Sequence, residues 1–125
     1  MNEKKISEIR TNKVLIREET LHQRLQEVAM QINVDYVDRE IDLVCLTGSA
    51  MTFTADLVRL IQVPVKLHTM AFISYIPAPK SGEVRLTLDI AESLEGRHVL
   101  VVEGMVISGR TPLYVMNLLR LRQPT

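Results

Sequence analysis

The tetrad Ser108-Gly109-Arg110-Thr111 has the residue types of an anion cradle, and its place in the chain fits that use. It follows the apolar run Val99-Leu100-Val101-Val102 and the stretch Glu103-Gly104-Met105-Val106-Ile107, and it opens a segment of helical spacing. Gly109 permits a tight turn, a helix N-terminus presents unpaired backbone N–H groups, and Ser108 and Thr111 add hydroxyl donors, a combination that can hold a phosphate. Pro112 at the first helical position agrees with this, because no donor is needed there. The same residues also read as a plain helix cap at Ser108 or Thr111 with a chain turn at Gly109.

The elements that must position this tetrad alternate between strand and helix. Leu21, Leu25, Val28, Ala29 and Ile32 fall at helical spacing and predict a helix over Leu21 to Asn33, with Thr20 and Gln23 as a capping box. Its other face, including His22, is polar and reads as solvated. Ile41-Asp42-Leu43-Val44-Cys45-Leu46 is a short apolar run that stops at Thr47-Gly48-Ser49, as a parallel strand covered on both faces would. Phe53, Leu57, Leu60 and Ile61 predict a second helix, ended by Pro64, and Val65 to Tyr75 is extended. Pro77, Pro79, Ser81 and Gly82 form a loop, after which Val84, Leu86 and Leu88 alternate with polar residues as a half-buried strand does. A turn at Glu95-Gly96 leads into a strand over His98 to Val102, and a last helix runs from Thr111 to Arg122 through Leu113, Met116 and Leu119. The class is therefore α/β, with residues 1–12 as an N-terminal arm and 13–125 as one core domain. In an open α/β sheet ligands bind beyond the carboxyl ends of the strands, so the loops after Leu46, Ile73 and Val102 are the candidate site.

Composition narrows the function. The 125 residues carry 15 Lys+Arg against 15 Asp+Glu and only 4% aromatics, which argues against nucleic acid and anionic membranes as partners. No apolar run approaches the roughly 20 residues of a membrane span, and Met1-Asn2-Glu3-Lys4-Lys5 leads into no secretory signal, so a cytoplasmic protein is expected. The one cysteine, Cys45, sits among apolar neighbours and reads as a buried structural thiol. Asp35, Asp38, Glu40 and Asp42 read as a solvated acidic turn rather than a metal site, and His68 and His98 as structural histidines. Arg120 and Arg122 with Lys66 amount to a small basic surface at most.

The strand at 99–102 with Glu103 and Ser108-Gly109-Arg110-Thr111 resembles the motif by which type I phosphoribosyltransferases bind phosphoribosyl pyrophosphate (PRPP). Leu46-Thr47-Gly48-Ser49-Ala50-Met51 followed by Phe53 and Ala55-Asp56-Leu57 is similar to the pyrophosphate loop and following helix of the hypoxanthine-guanine branch. Val63-Pro64-Val65, Met70-Ala71, Ser74-Tyr75 and Ser81-Gly82-Glu83-Val84 continue the pattern in order, and Ile16 to Tyr36 is similar to its opening strand and helix, so the resemblance covers about residues 13 to 122. It implies a parallel-sheet phosphoribosyltransferase core and a reaction of purine salvage. Magnesium-bound PRPP and a purine base give a purine nucleotide and pyrophosphate through a transition state with oxocarbenium character. It also implies roles: Ser108, Gly109, Arg110 and Thr111 hold the ribose phosphate, Glu103 the ribose hydroxyls, Thr47 and Gly48 meet pyrophosphate, and Ser74 and Tyr75 belong to a closing loop. A magnesium ion is implied only together with PRPP or pyrophosphate, and a homodimer or homotetramer is implied as the assembly.

Three positions depart from that pattern. Gly104 stands in place of the second carboxylate of the family's acidic pair, Ile107 in place of the aspartate that handles the purine proton, and Thr47 in place of the pyrophosphate-loop lysine. The sequence stops at Thr125, ahead of the family's last strand and hood, so the expected fold is the core truncated at the C-terminus. General acid–base help is worth about 10²–10⁴-fold, and an isoleucine cannot supply it. The expectation is a hypoxanthine-guanine phosphoribosyltransferase-like protein that binds PRPP or a purine nucleotide with impaired catalysis and no catalytic residue at 107. The alternative is a non-catalytic regulatory or assembly subunit on the same fold.

Overall fold

The computed structural model describes residues 14–75 and 83–125, so the expected arm at 1–12 and the Pro77–Gly82 loop lie outside the described residues. The elements are α1 (Glu18–Asp35), β1 (Ile41–Leu46), α2 (Ala50–Val58), β2 (Val65–Tyr75), β3 (Glu83–Leu88), β4 (His98–Val102) and α3 (Arg110–Arg120). The strands form one sheet in the order β3-β2-β1-β4. β1 runs parallel to β2, with Ile41 opposite Val65, and parallel to β4, with Ile41 opposite His98. β3 is antiparallel to β2, so the sheet is mixed at that edge.

All six residues of β1 are buried, Asp42 among them, as a nearly continuous apolar run in a central strand covered on both faces requires. Strand periodicity sends alternate side chains to opposite faces. Val44 and Leu46 pack with Met70, Ile90, Leu94, Val115 and Leu119 beneath α3. Ile41 and Leu43 pack on the other face with Ala29, Ile32, Leu57 and Val102, beneath α1 and α2. This three-layer packing fixes where β1 and β4 end, and so where their following loops begin. The Cys45 thiol is buried within β1, as expected.

Three details differ from the sequence reading. α1 begins at Glu18 behind Arg17, which makes no side-chain cap, so Thr20 lies inside the helix and the expected capping box is not formed. The acidic Glu18 and Glu19 occupy its first turn, where the helix dipole favours negative charge. α2 stops at Val58, and Leu60 and Ile61 belong to the turn before β2. In α3 the buried residues are Val115 and Leu119, whereas Leu113 and Met116 are 61% and 41% exposed, so the helix is rotated from the expected stripe. Among the described residues no helix is long and apolar enough to cross a membrane.

Candidate active site

β1 and β4 are neighbours in register, Cys45 opposite Val102, so the loops that follow them leave the same edge of the sheet side by side. After β1, the Thr47 N–H donates to the Met70 carbonyl at 2.9 Å, which ties the turn to β2. Gly48 follows at φ +94°, and Ser49 is the N-cap of α2. The Ser49 hydroxyl makes no capping bond to that helix, and the residue is solvent exposed.

After β4, Glu103 is half-buried and its Oε1 accepts the Gly104 N–H at 2.8 Å. Gly104 marks the closest approach of the two loops. A Cβ placed on it would collide with Ser49 Oγ and lie 2.6 Å from the Ser49 carbonyl carbon and 2.7 Å from the Ala50 nitrogen. Backbone cannot swing away as a side-chain tip can, so residue 104 has no room for any side chain while the β1–α2 loop holds this course.

Ser108-Gly109-Arg110-Thr111 then delivers α3. Gly109 is its N-cap at φ +74°, a left-handed conformation that L side chains rarely adopt. The first intrahelical bond is Leu113 N–H to the Gly109 carbonyl at 3.0 Å, so the N–H groups of Gly109, Arg110 and Thr111 all lie ahead of the helical ladder. Pro112 is the third helical residue rather than the first, still within the turn where its missing N–H costs nothing. Ser108 does not cap the helix in the usual way; its Oγ accepts only a long 3.5 Å contact from the Arg110 N–H. This is a helix N-terminus entered through a glycine turn, an arrangement of backbone donors that can hold an anion. Ile107 is 88% exposed beside them, with Met105 and Val106 also exposed.

Ser74 and Tyr75 lie at the far end of β2, paired with Val84 and Glu83 of β3. β2 carries them beyond Met70, the last residue in register with β1. The fold thus gathers Thr47, Gly48 and Ser49 with Glu103 and Gly104, continues directly into the tetrad, and places Ser74 and Tyr75 on the extended β2–β3 pair. An apolar groove between α1 and α2, lined by Leu21, Leu25, Val28 and Phe53, involves none of these residues.

Several of the other singled-out side chains have structural partners. Asp42 is not part of a solvated turn: it is 2% exposed within β1, bonded to His68 Nε2 at 2.7 Å and to Arg97 Nε at 2.6 Å. Burial alone would raise its pKa; the hydrogen bonds from His68 and Arg97, with their charges, more than offset this and hold Asp42 below its ordinary value. Lys66 pairs with Glu92 and Arg122 with Asp89, whereas Arg120 donates only to Asn117 Oδ1 at 3.3 Å, so two of the three cations of the suggested basic surface are paired within the chain. His98 stacks edge-on against Tyr36 at 5.9 Å.

The model of the phosphoribosyl transferase domain family matches residues 9–125, nearly the whole chain. The chain belongs to the type I phosphoribosyltransferase family, in its hypoxanthine-guanine branch. It is 36% identical over 115 residues to the hypoxanthine phosphoribosyltransferase of Haemophilus influenzae, covering 89% of this chain and 64% of that protein. It is 35% identical over 119 residues to the hypoxanthine-guanine phosphoribosyltransferase of Dictyostelium discoideum, covering 91% of this chain and 66% of that one. Among solved structures, the hypoxanthine-guanine phosphoribosyltransferase of Bacillus anthracis superposes with a TM-score of 0.83 at 31% identity, over 93% of this chain and 67% of the other. The Trypanosoma cruzi hypoxanthine phosphoribosyltransferase in complex with the product IMP superposes at 0.79 and 35% identity, over 90% of this chain and 64% of the other. The chain therefore spans just under two thirds of the length of these curated relatives. The fold expected from the sequence, an α/β phosphoribosyltransferase core, is the fold observed. Sequence reading missed Ser49 as a neighbour of the acidic position, because the contact joins two loops far apart in the chain.

Proposed function

We propose that this phosphoribosyltransferase-like protein of purine salvage, with 13–125 as its core domain, binds PRPP or a purine nucleotide through Ser108–Thr111. The observation that carries the reading is the left-handed Gly109, which turns the chain from β4 into α3 and leaves three backbone N–H groups ahead of the helical ladder. In this reading those donors with the Arg110 and Thr111 side chains hold the phosphate of the ribose phosphate group, Glu103 accepts from the ribose hydroxyls, and Thr47 and Gly48 meet pyrophosphate. Ser74 and Tyr75 belong to a segment that closes over the bound ligand. Among the described residues there is no group of three or more His, Cys, Asp or Glu able to hold a metal. The donor set suits a magnesium ion that arrives on the phosphates of PRPP, with Glu103 as the chain's own oxygen ligand. Such an ion would neutralise charge on the departing pyrophosphate.

Catalysis is impaired in this reading, because exposed Ile107 offers no proton acceptor to the purine and Thr47 no positive charge to the leaving group. The same two residues favour the second reading, a regulatory or assembly subunit that binds the ligand without turnover. In this reading the protein works in the cytoplasm as a dimer or tetramer; the exposed apolar Met30 and Val34 on α1 support the assembly, and a strictly monomeric species by light scattering would count against it.

The test is calorimetric titration with magnesium-PRPP and separately with GMP, followed by a turnover assay with hypoxanthine or guanine on the same sample. Saturable binding that is weakened in Arg110→Ala and Thr111→Ala supports the cradle, and absence of any binding by the folded wild type overturns it. Turnover at background alongside binding selects the regulatory reading.

A further inference from the structure

Gly104 is flanked by two polar groups from different loops. On one side Glu103 Oε1 accepts its N–H at 2.8 Å, and on the other Ser49 Oγ lies where a Cβ of residue 104 would be. Ser49 is an exposed residue, and its hydroxyl is not used to cap α2, the bond that a serine at a helix N-cap ordinarily makes. The backbone of Ser49 and Ala50 packs so closely on Gly104 that the position is closed to a side chain of its own. The β1–α2 loop has thus brought a hydroxyl into the space that a side chain on the β4 loop would otherwise fill.

We propose that Ser49 is a ribose-contacting, specificity-determining residue, supplying beside Glu103 the second polar contact to the two adjacent sugar hydroxyls of the bound nucleotide. This rests on the reading that Ser108–Thr111 hold the ligand's phosphate. A vicinal diol presents two donors and two sets of acceptor lone pairs. A carboxylate can only accept, whereas a serine hydroxyl both donates and accepts, so the Glu103–Ser49 pair can satisfy both sugar hydroxyls from opposite sides of Gly104. The expected signature is a discrimination against the deoxy form of the ligand that depends on Ser49. Gly104 is the positioning residue: by lacking a side chain it lets the Ser49 loop settle against β4.

The experiment is calorimetric titration of the full chain with GMP and with the dideoxy analogue of GMP, which lacks both ribose hydroxyls. Ser49→Ala, an exposed change that leaves the core untouched, is expected to weaken GMP about 3- to 10-fold, the range of one hydrogen bond, and to leave the dideoxy analogue unchanged. Gly104→Ala displaces the loop and is expected to lose the same discrimination, so that Ser49→Ala added to it weakens GMP no further. An equal loss for both ligands, or no loss for either, overturns the role of Ser49 while leaving the phosphate cradle standing. Failure of the wild type to bind either ligand overturns the cradle and this inference together.

Discussion

His68 on β2 and Asp42 on β1 are joined by a 2.7 Å hydrogen bond, with side-chain exposures of 7% and 2%. Register places Val44 opposite His68, so the two residues lie diagonally on the face of the sheet beneath α3. An ionised carboxylate accepts only, so His68 donates from Nε2. The second oxygen of Asp42 accepts from Arg97 Nε at 2.6 Å, and Arg97 Nη2 reaches Glu40 at 3.1 Å. A buried charge at the amino end of the sheet is thereby fully partnered, at the end remote from the candidate site.

This arrangement makes stability pH-dependent with a definite sign. Asp42 is held below its ordinary value of 3.8, so its contribution is complete above that value and is lost as pH falls below about 4 toward the folded-state pKa. Asp42→Asn is expected to cost about 2–3 kcal/mol at neutral pH, less than a fully buried pair because Arg97 is partly exposed. Urea unfolding from neutral pH down to about pH 3 checks it: the wild type should lose more stability over the acid range than the variant. Equal slopes in the two proteins would show that Asp42 does not carry the acid sensitivity.

Gly109→Ala tests the turn that delivers α3. Nothing lies within 4 Å of a Cβ at this position, so the substitution meets open space, and its cost is the left-handed backbone at φ +74° alone. That strain is about 1–2 kcal/mol. Denaturant unfolding should show a loss of that size, and GMP titration should show weakened binding, because relaxing φ re-aims the N–H groups of Arg110 and Thr111. Unchanged stability together with unchanged affinity would mean that the turn tolerates an ordinary residue.

The legible part of the fold was the part fixed by continuous burial. Ile41–Leu46 reads as a central strand because five of its six residues are apolar, and Val65–Tyr75 begins where Pro64 forbids helix. The tetrad at 108–111 was legible as a helix entrance because glycine, hydroxyls and proline each have a local reason to be there. The face of α3 was not. Apolar residues at 113, 115, 116, 118, 119 and 121 offer more than one stripe, and contact with the sheet selects Val115 and Leu119. Asp42 looked like one more acid in an acidic stretch because its partners lie 26 and 55 residues away. Gly104 read only as a missing carboxylate. Its close contact with Ser49 and Ala50 depends on two loops meeting in space, which no local pattern records.

Ile107→Asp addresses the catalytic deficit proposed at residue 107. Residue 107 is 88% exposed, so the substitution is expected to change stability by less than about 0.5 kcal/mol. It restores a group able to exchange a proton with a purine ring, a contribution worth about 10²–10⁴-fold when correctly placed. Formation of IMP from hypoxanthine and magnesium-PRPP is therefore expected to rise at least about tenfold over the wild type. No gain in a variant that binds GMP normally would place the deficit elsewhere, at Thr47 or at the metal.

Leu119→Ala separates anchoring of α3 from the phosphate binding proposed for its N-terminus. Leu119 is 2% exposed and packs with Val44, Leu46, Met70 and Val115, so truncation leaves a cavity beneath the last turn of the helix at a cost of about 2–4 kcal/mol. The proposed phosphate donors lie at the opposite end, before Leu113, and that end is tied down by Val115 and by the link to β4. Denaturant unfolding should therefore show a large loss of stability. GMP titration well below the melting temperature should give nearly wild-type affinity for the folded fraction. A loss of affinity as large as that of Arg110→Ala would show instead that the cradle depends on the packing of the whole helix.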